Sequence, residues 1–301
     1  MPPVPHLPTK SQNDISSGFH LADGRGYMLD RGYFASSRLN FQFYLWKESL
    51  HFNLHPSIST PIENLRVADI ATGTGLWLFD LARELPESAQ LDGFDISLAN
   101  APQKHWWPQN VTIKQWNIFD DVPEEMIGKY DIVHLRLLIL VVENSDPRPI
   151  IQKVHKMLKP GGYIQWDDLN YPDTHVRHPL SAAAASTPAF DSLREFVYSN
   201  GRHDWVLQLP RILNSEGFEG ARQFNYVDRP DLTKANGDQH LLTMEEFATT
   251  LAAAGNHQAS EKIFNLIGDV YQESMTGAAL SMPRVVNIAR KKSGETPHSV
   301  L

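Results

Sequence analysis

"VADIATGTGLWLFDLARELP", Val67 to Pro86, runs from a β-branched apolar segment through a turn of small residues directly into helical periodicity. Leu78, Leu81, Ala82 and Leu85 recur on one helical face after the turn, while Leu65 to Ala71 before it is short, apolar and fit for a buried strand. A strand that enters a helix through a glycine turn is the opening unit of an open α/β sheet, whose ligands bind beyond the carboxyl ends of the strands. The small residues Ala71, Gly73 and Gly75 let the backbone come close to such a ligand. A dinucleotide fingerprint needs a third glycine, yet Leu78 stands where it belongs, which counts against a nicotinamide-dependent oxidoreductase. Asp95 ends the next apolar run, placed to accept both ribose hydroxyls of a nucleoside.

The alternation continues outward. Further strands are expected at Gln90 to Ile96, Val111 to Trp116 and Asp131 to Leu135, and a helix from about Pro147 to Leu158 with Asp146 as its cap. "KPGG", 159–162, ends that helix, and "YIQW" starts another strand. Before the sheet, Leu39, Phe43, Trp46 and Leu50 mark an amphipathic helix over Ser36 to Phe52. This order predicts an α/β fold with a mostly parallel sheet and helices on both faces. After Asp168 the rhythm changes. Helices are expected near Pro188 to Asn200 and Leu209 to Glu216, then a strand at Arg222 to Asp228. The capping box "TMEE" (Thr243 to Glu246) opens a helical pair whose second member spans about Ser260 to Thr276, and Pro283 to Arg290 closes the sheet.

Composition narrows the function. The chain has 301 residues, 42% hydrophobic and 21% charged, enough for a sizeable core. A net charge of −8 argues against a phosphate-backbone partner, and the absence of cysteine excludes disulfides, thiolate metal sites and a cysteine nucleophile. None of the 13 histidines has metal-ligand spacing, so no metal is expected. The longest apolar run, Leu137 to Val142, is far shorter than the ~20 residues of a membrane helix. A cytoplasmic protein without a membrane partner is expected. Residues 1–30 read as a loose tail, 31–292 as one domain, and 293–301 as a flexible end. The core covers about 60–170, with lid elements at about 31–58, 170–215 and 232–280.

Seven segments in this order resemble the class I S-adenosylmethionine-dependent methyltransferases, within them the fungal secondary-metabolism type related to LaeA-like regulators. They are "SRLNFQFYLW" (37–46), "VADIATGTGLW" (67–77), "LDGFDIS" (91–97), "WNIFDD" (116–121), "YDIVHLRLLI" (130–139), "LKPGGYIQW" (158–166) and "VVNIARK" (285–291). The resemblance implies a Rossmann-like seven-stranded sheet and S-adenosyl-L-methionine as cofactor. It implies that the turn Asp69, Ala71, Thr72, Gly73, Gly75 cradles the methionine and ribose portion, that Asp95 holds the ribose, and that adenine lies near Ile96, Asn117 and Ile118. Asn117 replaces the usual acidic residue. Ala71 replaces the usual first glycine, which requires negative φ there or a displaced turn. Arg136 and Arg38 become candidates for the methionyl carboxylate, and family habit suggests a homodimer.

Methyl transfer is an in-line displacement that needs a base only for an ordinary hydroxyl or protonated amine. Bases are expected at the ends of the fourth and fifth strands, which singles out His134, Asp167 and Asp168. Asp167 and Asp168 project to opposite faces, and Asp168 is favoured; His134 reads more simply as a core histidine bonded to backbone. His203 and His240 lie in the inserted helices, which can fold over the strand ends and shape the acceptor pocket; their default place is a surface loop. The aromatic supply suits a small flat acceptor, so the expected activity is O- or N-methylation of a secondary metabolite. The alternative is a cofactor-binding protein without transfer, either a LaeA-like regulator or an enzyme exploiting the sulfonium charge.

Overall fold

The computed structural model describes residue 29 and residues 31–178, 186–198 and 201–293. The readings of a loose tail and a flexible end lie outside the described residues, apart from Leu29 and Ser293. The elements follow the alternation read from the sequence. Helix α1 (Tyr33–Leu50) is followed by β1 (Arg66–Ile70), α2 (Leu76–Glu84), β2 (Gln90–Asp95), β3 (Val111–Gln115), β4 (Tyr130–Arg136), α3 (Arg148–Met157) and β5 (Leu158–Leu169). Then come β6 (His175–Arg177), α4 (Pro188–Tyr198), α5 (Leu209–Ser215), β7 (Phe218–Tyr226), α6 (Thr233–Ala253), α7 (His257–Ser274), β8 (Ala279–Ser281) and β9 (Arg284–Lys291).

Seven strands form one sheet in the order β3-β2-β1-β4-β5-β9-β7. The first five run parallel, and β9 is antiparallel to both neighbours. Because β1 pairs with both β2 and β4, the chain reverses its direction of travel across the sheet there, and a crevice opens beyond the ends of β1 and β4. Helix α2 buries Leu78 and Leu81 on one side; α3 buries Ile150, Ile151, Val154 and Met157 on the other. The N-cap position of α3 is Pro147 rather than Asp146, which lies one residue earlier and accepts from the Arg148 amide at 3.1 Å. A third apolar cluster joins α1, α4, α6 and α7 above the crevice.

Three local readings change. "KPGG" is not a loop: β5 begins at Leu158, and at a register shift against β4 between Tyr130 and Ile132, with Gly161 at φ +79°, its four residues lie opposite Asp131 alone. The capping box does not start a helix, because α6 begins ten residues earlier at Thr233. Thr243 instead donates back to the Gln239 carbonyl at 3.2 Å, and Glu246 is drawn away to Arg38, whose Nε donates to it at 2.5 Å with both side chains buried. The two-stranded β6–β8 sheet carried no sequence signal, being three residues per strand.

The α6 side of the molecule is tied down by Asp228. Its carboxylate accepts from Arg284 Nη1, from Asn236 Nδ2 at 3.3 Å, from Ser281 Oγ at 3.1 Å and from the Met282 amide at 2.8 Å. Among the described residues no helix is long and apolar enough to cross a membrane.

Candidate functional site

The turn after β1 is a run of left-handed residues, with Ala71 at φ +58°, Gly73 at +58° and Gly75 at +76°. Ala71 therefore does not take the negative φ expected of a non-glycine residue; its Cβ is exposed, so nothing collides with it and only the intrinsic strain remains, about 1–2 kcal/mol. Ala71→Gly is expected to raise the unfolding free energy by about 0.5–1 kcal/mol, the strain released less the flexibility added to the unfolded chain. Urea denaturation measures this, and a net loss of stability would count against the strain. At Gly75 a Cβ would lie 2.9 Å from Ile113 Cδ1, so the glycine also serves the packing of α2 on the sheet.

Asp95 closes the turn from below. Its Oδ2 accepts from the Gly73 amide at 2.9 Å and its Oδ1 from Ser97 at 3.1 Å. Burial holds this carboxyl above its ordinary pKa, against the pull of those two N–H groups. Each oxygen keeps a further lone pair.

A cavity of about 280 Å³ runs from here in both directions. At one end lie Ile96, Trp116, Asn117 and Ile118, with the Asn117 amide oxygen already accepting from Phe119 N at 3.1 Å. In the middle are Asp69, Ala71, Thr72, Gly73, Asp95, Arg38, His134 and Arg136; Gly75 stands behind the turn and does not border the space. At the far end Tyr171, Phe196, His203, His240, Met244 and Phe247 enclose an apolar chamber. The cofactor-binding candidates other than Gly75 thus share one cavity. Trp77, Gln42 and Arg31 also line it and were not read from the sequence. Gln42 lies one helical turn beyond Arg38 and Trp77 directly follows the turn motif, so both were within reach of the periodicity; Arg31, whose charge acts on Asp95, precedes any recognisable element.

The floor of the cavity is a buried charge network. His134 Nδ1 lies 2.7 Å from Asp69 Oδ1 and its Nε2 3.1 Å from Asp167 Oδ2. The Trp77 indole stacks on the imidazole at 3.8 Å, with 4° between the planes. This corrects the expectation of a histidine bonded to backbone: two carboxylates hold it. Burial opposes the imidazolium, but the bonds to Asp167 and Asp69 outweigh it and His134 titrates above its ordinary value. Asp167 is displaced the other way, since Arg136 and His134 overcome the effect of burial. Arg136 Nη2 donates to Asp167 at 2.8 Å, and its guanidinium lies 4.8 Å from the Trp46 ring centre.

Asp167 and Asp168 do project to opposite faces, and neither borders the cavity. Asp168, the favoured base, is sealed in the packing, where it accepts from the Leu169 amide at 2.9 Å and Trp166 Nε1 at 3.3 Å. Burial pushes it up to about 7; it is fully buried and does not itself border the cavity, although Leu138 and Tyr171 beside it do. His203 and His240, far from being surface residues, both line the chamber.

Residues 67–162 match a methyltransferase-domain family. The chain is similar to the methyltransferase grgD of a Penicillium species, 35% identical over 165 residues that cover 50% of this chain and 57% of grgD. It is similar to the N-methyltransferase tcpN of Claviceps purpurea, 31% identical, covering 45% and 49% of the two chains. It is also similar to the secondary metabolism regulator LAE1 of Hypocrea atroviridis, 30% identical, covering 36% and 33%. The chain spans about half the length of the first two of these relatives and a third of the last.

Proposed function

We infer that this chain, which carries a class I S-adenosyl-L-methionine-dependent methyltransferase domain, transfers a methyl group to a nitrogen or oxygen atom of a small natural product. The observation that carries this reading is the continuity of one cavity, from the Asp95 carboxylate and the left-handed turn to the apolar chamber under α4 and α6.

The residues fit the cofactor. Thr72 Oγ1 and Trp77 Nε1 are buried on the cavity wall without hydrogen-bond partners among the described residues, a state that a polar ligand relieves. Asp95 would take the ribose hydroxyls; Ile96, Asn117 and Ile118 would enclose the adenine. Arg38 and Arg136 are each pinned by a carboxylate, yet a guanidinium has five N–H donors, which leaves some for the methionyl carboxylate. When bound, the cofactor supplies an electrophilic methyl group on a sulfonium. The chain's own part is alignment and the exclusion of water, for which the apolar wall suffices.

Asp95→Ala is expected to weaken binding of S-adenosylhomocysteine by about 1–3 kcal/mol, because two hydroxyls lose an acceptor. Isothermal calorimetry reads this directly, and an unchanged affinity would place the nucleoside elsewhere. For the transfer itself, methyl-labelled cofactor is incubated with the protein and small-molecule extracts of fungal cultures. Label in the extract supports the transferase. Label that stays with the cofactor, while the protein binds it tightly, favours the second reading drawn from the LAE1 similarity, a cofactor-binding regulator or an enzyme that uses the sulfonium charge alone.

A further inference from the structure

Nine buried side-chain polar atoms lack a hydrogen-bond partner among the described residues, and four of them lie on residues that line this one cavity: Thr72 Oγ1, Trp77 Nε1, His203 Nδ1 and His240 Nε2. The first two flank the glycine turn. The other two belong to the far chamber, where they come from separate elements, His203 from the segment before α5 and His240 from the inner face of α6 that also carries Thr243, Met244 and Phe247. His203 is 4% exposed and its ring lies 4.9 Å from that of Tyr171. A buried nitrogen without a partner weakens a fold unless something binds it. Two in one largely apolar chamber, where Tyr171, Gln239 and Thr243 are the other polar side chains, mark where a ligand supplies the missing bonds.

We propose that His203 and His240 are the acceptor-recognising residues of this site, and that they select an uncharged, largely apolar molecule presenting an N–H or O–H group. The proposal rests on the reading of the cavity as a methyl-transfer site.

Burial lowers both imidazoles to about 4, so at neutral pH each is uncharged and keeps one ring nitrogen as an acceptor. That value is too low for a useful proton acceptor at neutral pH, and it suits a hydrogen-bonding role. The neighbours agree. Leu169, Phe196, Val197, Met244 and Phe247 offer neither a cation for a carboxylate nor an anion for an ammonium group, and Glu246, one position from Phe247, is taken up by Arg38. A charged acceptor would be desolvated there without compensation. With the ring proton on the other nitrogen of each imidazole, an N–H or O–H group facing Nδ1 of His203 or Nε2 of His240 completes bonds that the protein alone leaves unmade.

The test uses the full chain loaded with S-adenosylhomocysteine and three probes: indole, its hydrocarbon twin indene, and benzoate. Indole is expected to bind at least about tenfold tighter than indene or benzoate. The double variant His203→Phe with His240→Phe should erase the preference for indole over indene. The double variant His203→Asn with His240→Gln, which returns polar atoms near Nδ1 and Nε2, should restore most of it. Equal binding of indole and indene, binding of none of the probes, a preference that survives the phenylalanines, or no recovery with the amides would each overturn the proposal. Binding of S-adenosylhomocysteine serves as the control. If the wild-type chain fails to bind it, the underlying reading fails instead. If only the phenylalanine double variant fails, the two single phenylalanine variants take its place, each expected to lose at least about threefold of the preference.

Discussion

Asp228→Ala is expected to lower the unfolding free energy by about 3–5 kcal/mol, the range seen when one partner of a buried ion pair is removed. The side chains of Asp228 and Arg284 are 0% and 4% exposed, so neither charge finds water once the other is gone. The same carboxylate also accepts from Asn236 on α6, Ser281 on β8 and the Met282 amide, so its loss strands four donors on three segments. Asn236 would still accept from Arg284 Nη2 at 2.7 Å, a neutral partner that cannot replace the charge. Equilibrium urea unfolding, with Ser281→Ala as a comparison expected to cost about 1 kcal/mol, measures the difference. A loss for Asp228→Ala no larger than that of Ser281→Ala would mean that the cluster contributes no more than one ordinary hydrogen bond.

The second large effect lies beneath the cavity. Asp167→Ala is expected to cost about 3–5 kcal/mol near pH 5.5 and less at pH 9, and the pH dependence is the informative part. His134 titrates above its unfolded value, so its contribution is complete below about 6.5 and is lost as pH rises through the folded pKa. Asp167 titrates below its unfolded value; its contribution is present above about 3.9 and is lost as pH falls through the folded pKa. Both contributions are therefore whole between roughly pH 4 and 6.5, and on the alkaline side the bond to a deprotonated imidazole weakens. The ion pair with Arg136 sets the part of the loss that remains at high pH. Urea unfolding of both proteins across this range shows the effect, and a difference independent of pH would mean that His134 is neutral in the folded state.

The sheet was legible in the sequence because its inner strands are covered on both faces and so read as mostly apolar runs, as at Val67 to Ile70 and Ile132 to Leu135, each interrupted once, by Asp69 and His134. The proposed nucleoside end was legible for a related reason: glycines and a strand-end carboxylate at fixed spacing leave few geometries. The lid was not. The first turns of α6, "TKANGDQH", contain glycine, asparagine and aspartate, poor helix formers whose place is set by burial of Asn236 and Gln239. Local propensity therefore pointed to Thr243 as the start. His134 was misjudged because its two partners are 65 and 33 residues away in the chain and meet only across strands. Asp168 looked catalytic from its place at a strand end, and only the packing around it shows that its carboxylate is fully buried and off the cavity wall.

The order in which the cavity wall is written along the chain has a consequence for how such a protein can diverge. Apart from Arg31 and Arg38, the residues proposed to surround the nucleoside lie between 69 and 136, inside the matched 67–162 segment, whereas Tyr171, Phe196, His203, His240, Met244 and Phe247 all follow it. Mutation can therefore rework what is accepted while leaving the donor's cradle untouched, an evolutionary modularity that lets one inherited half serve many chemistries.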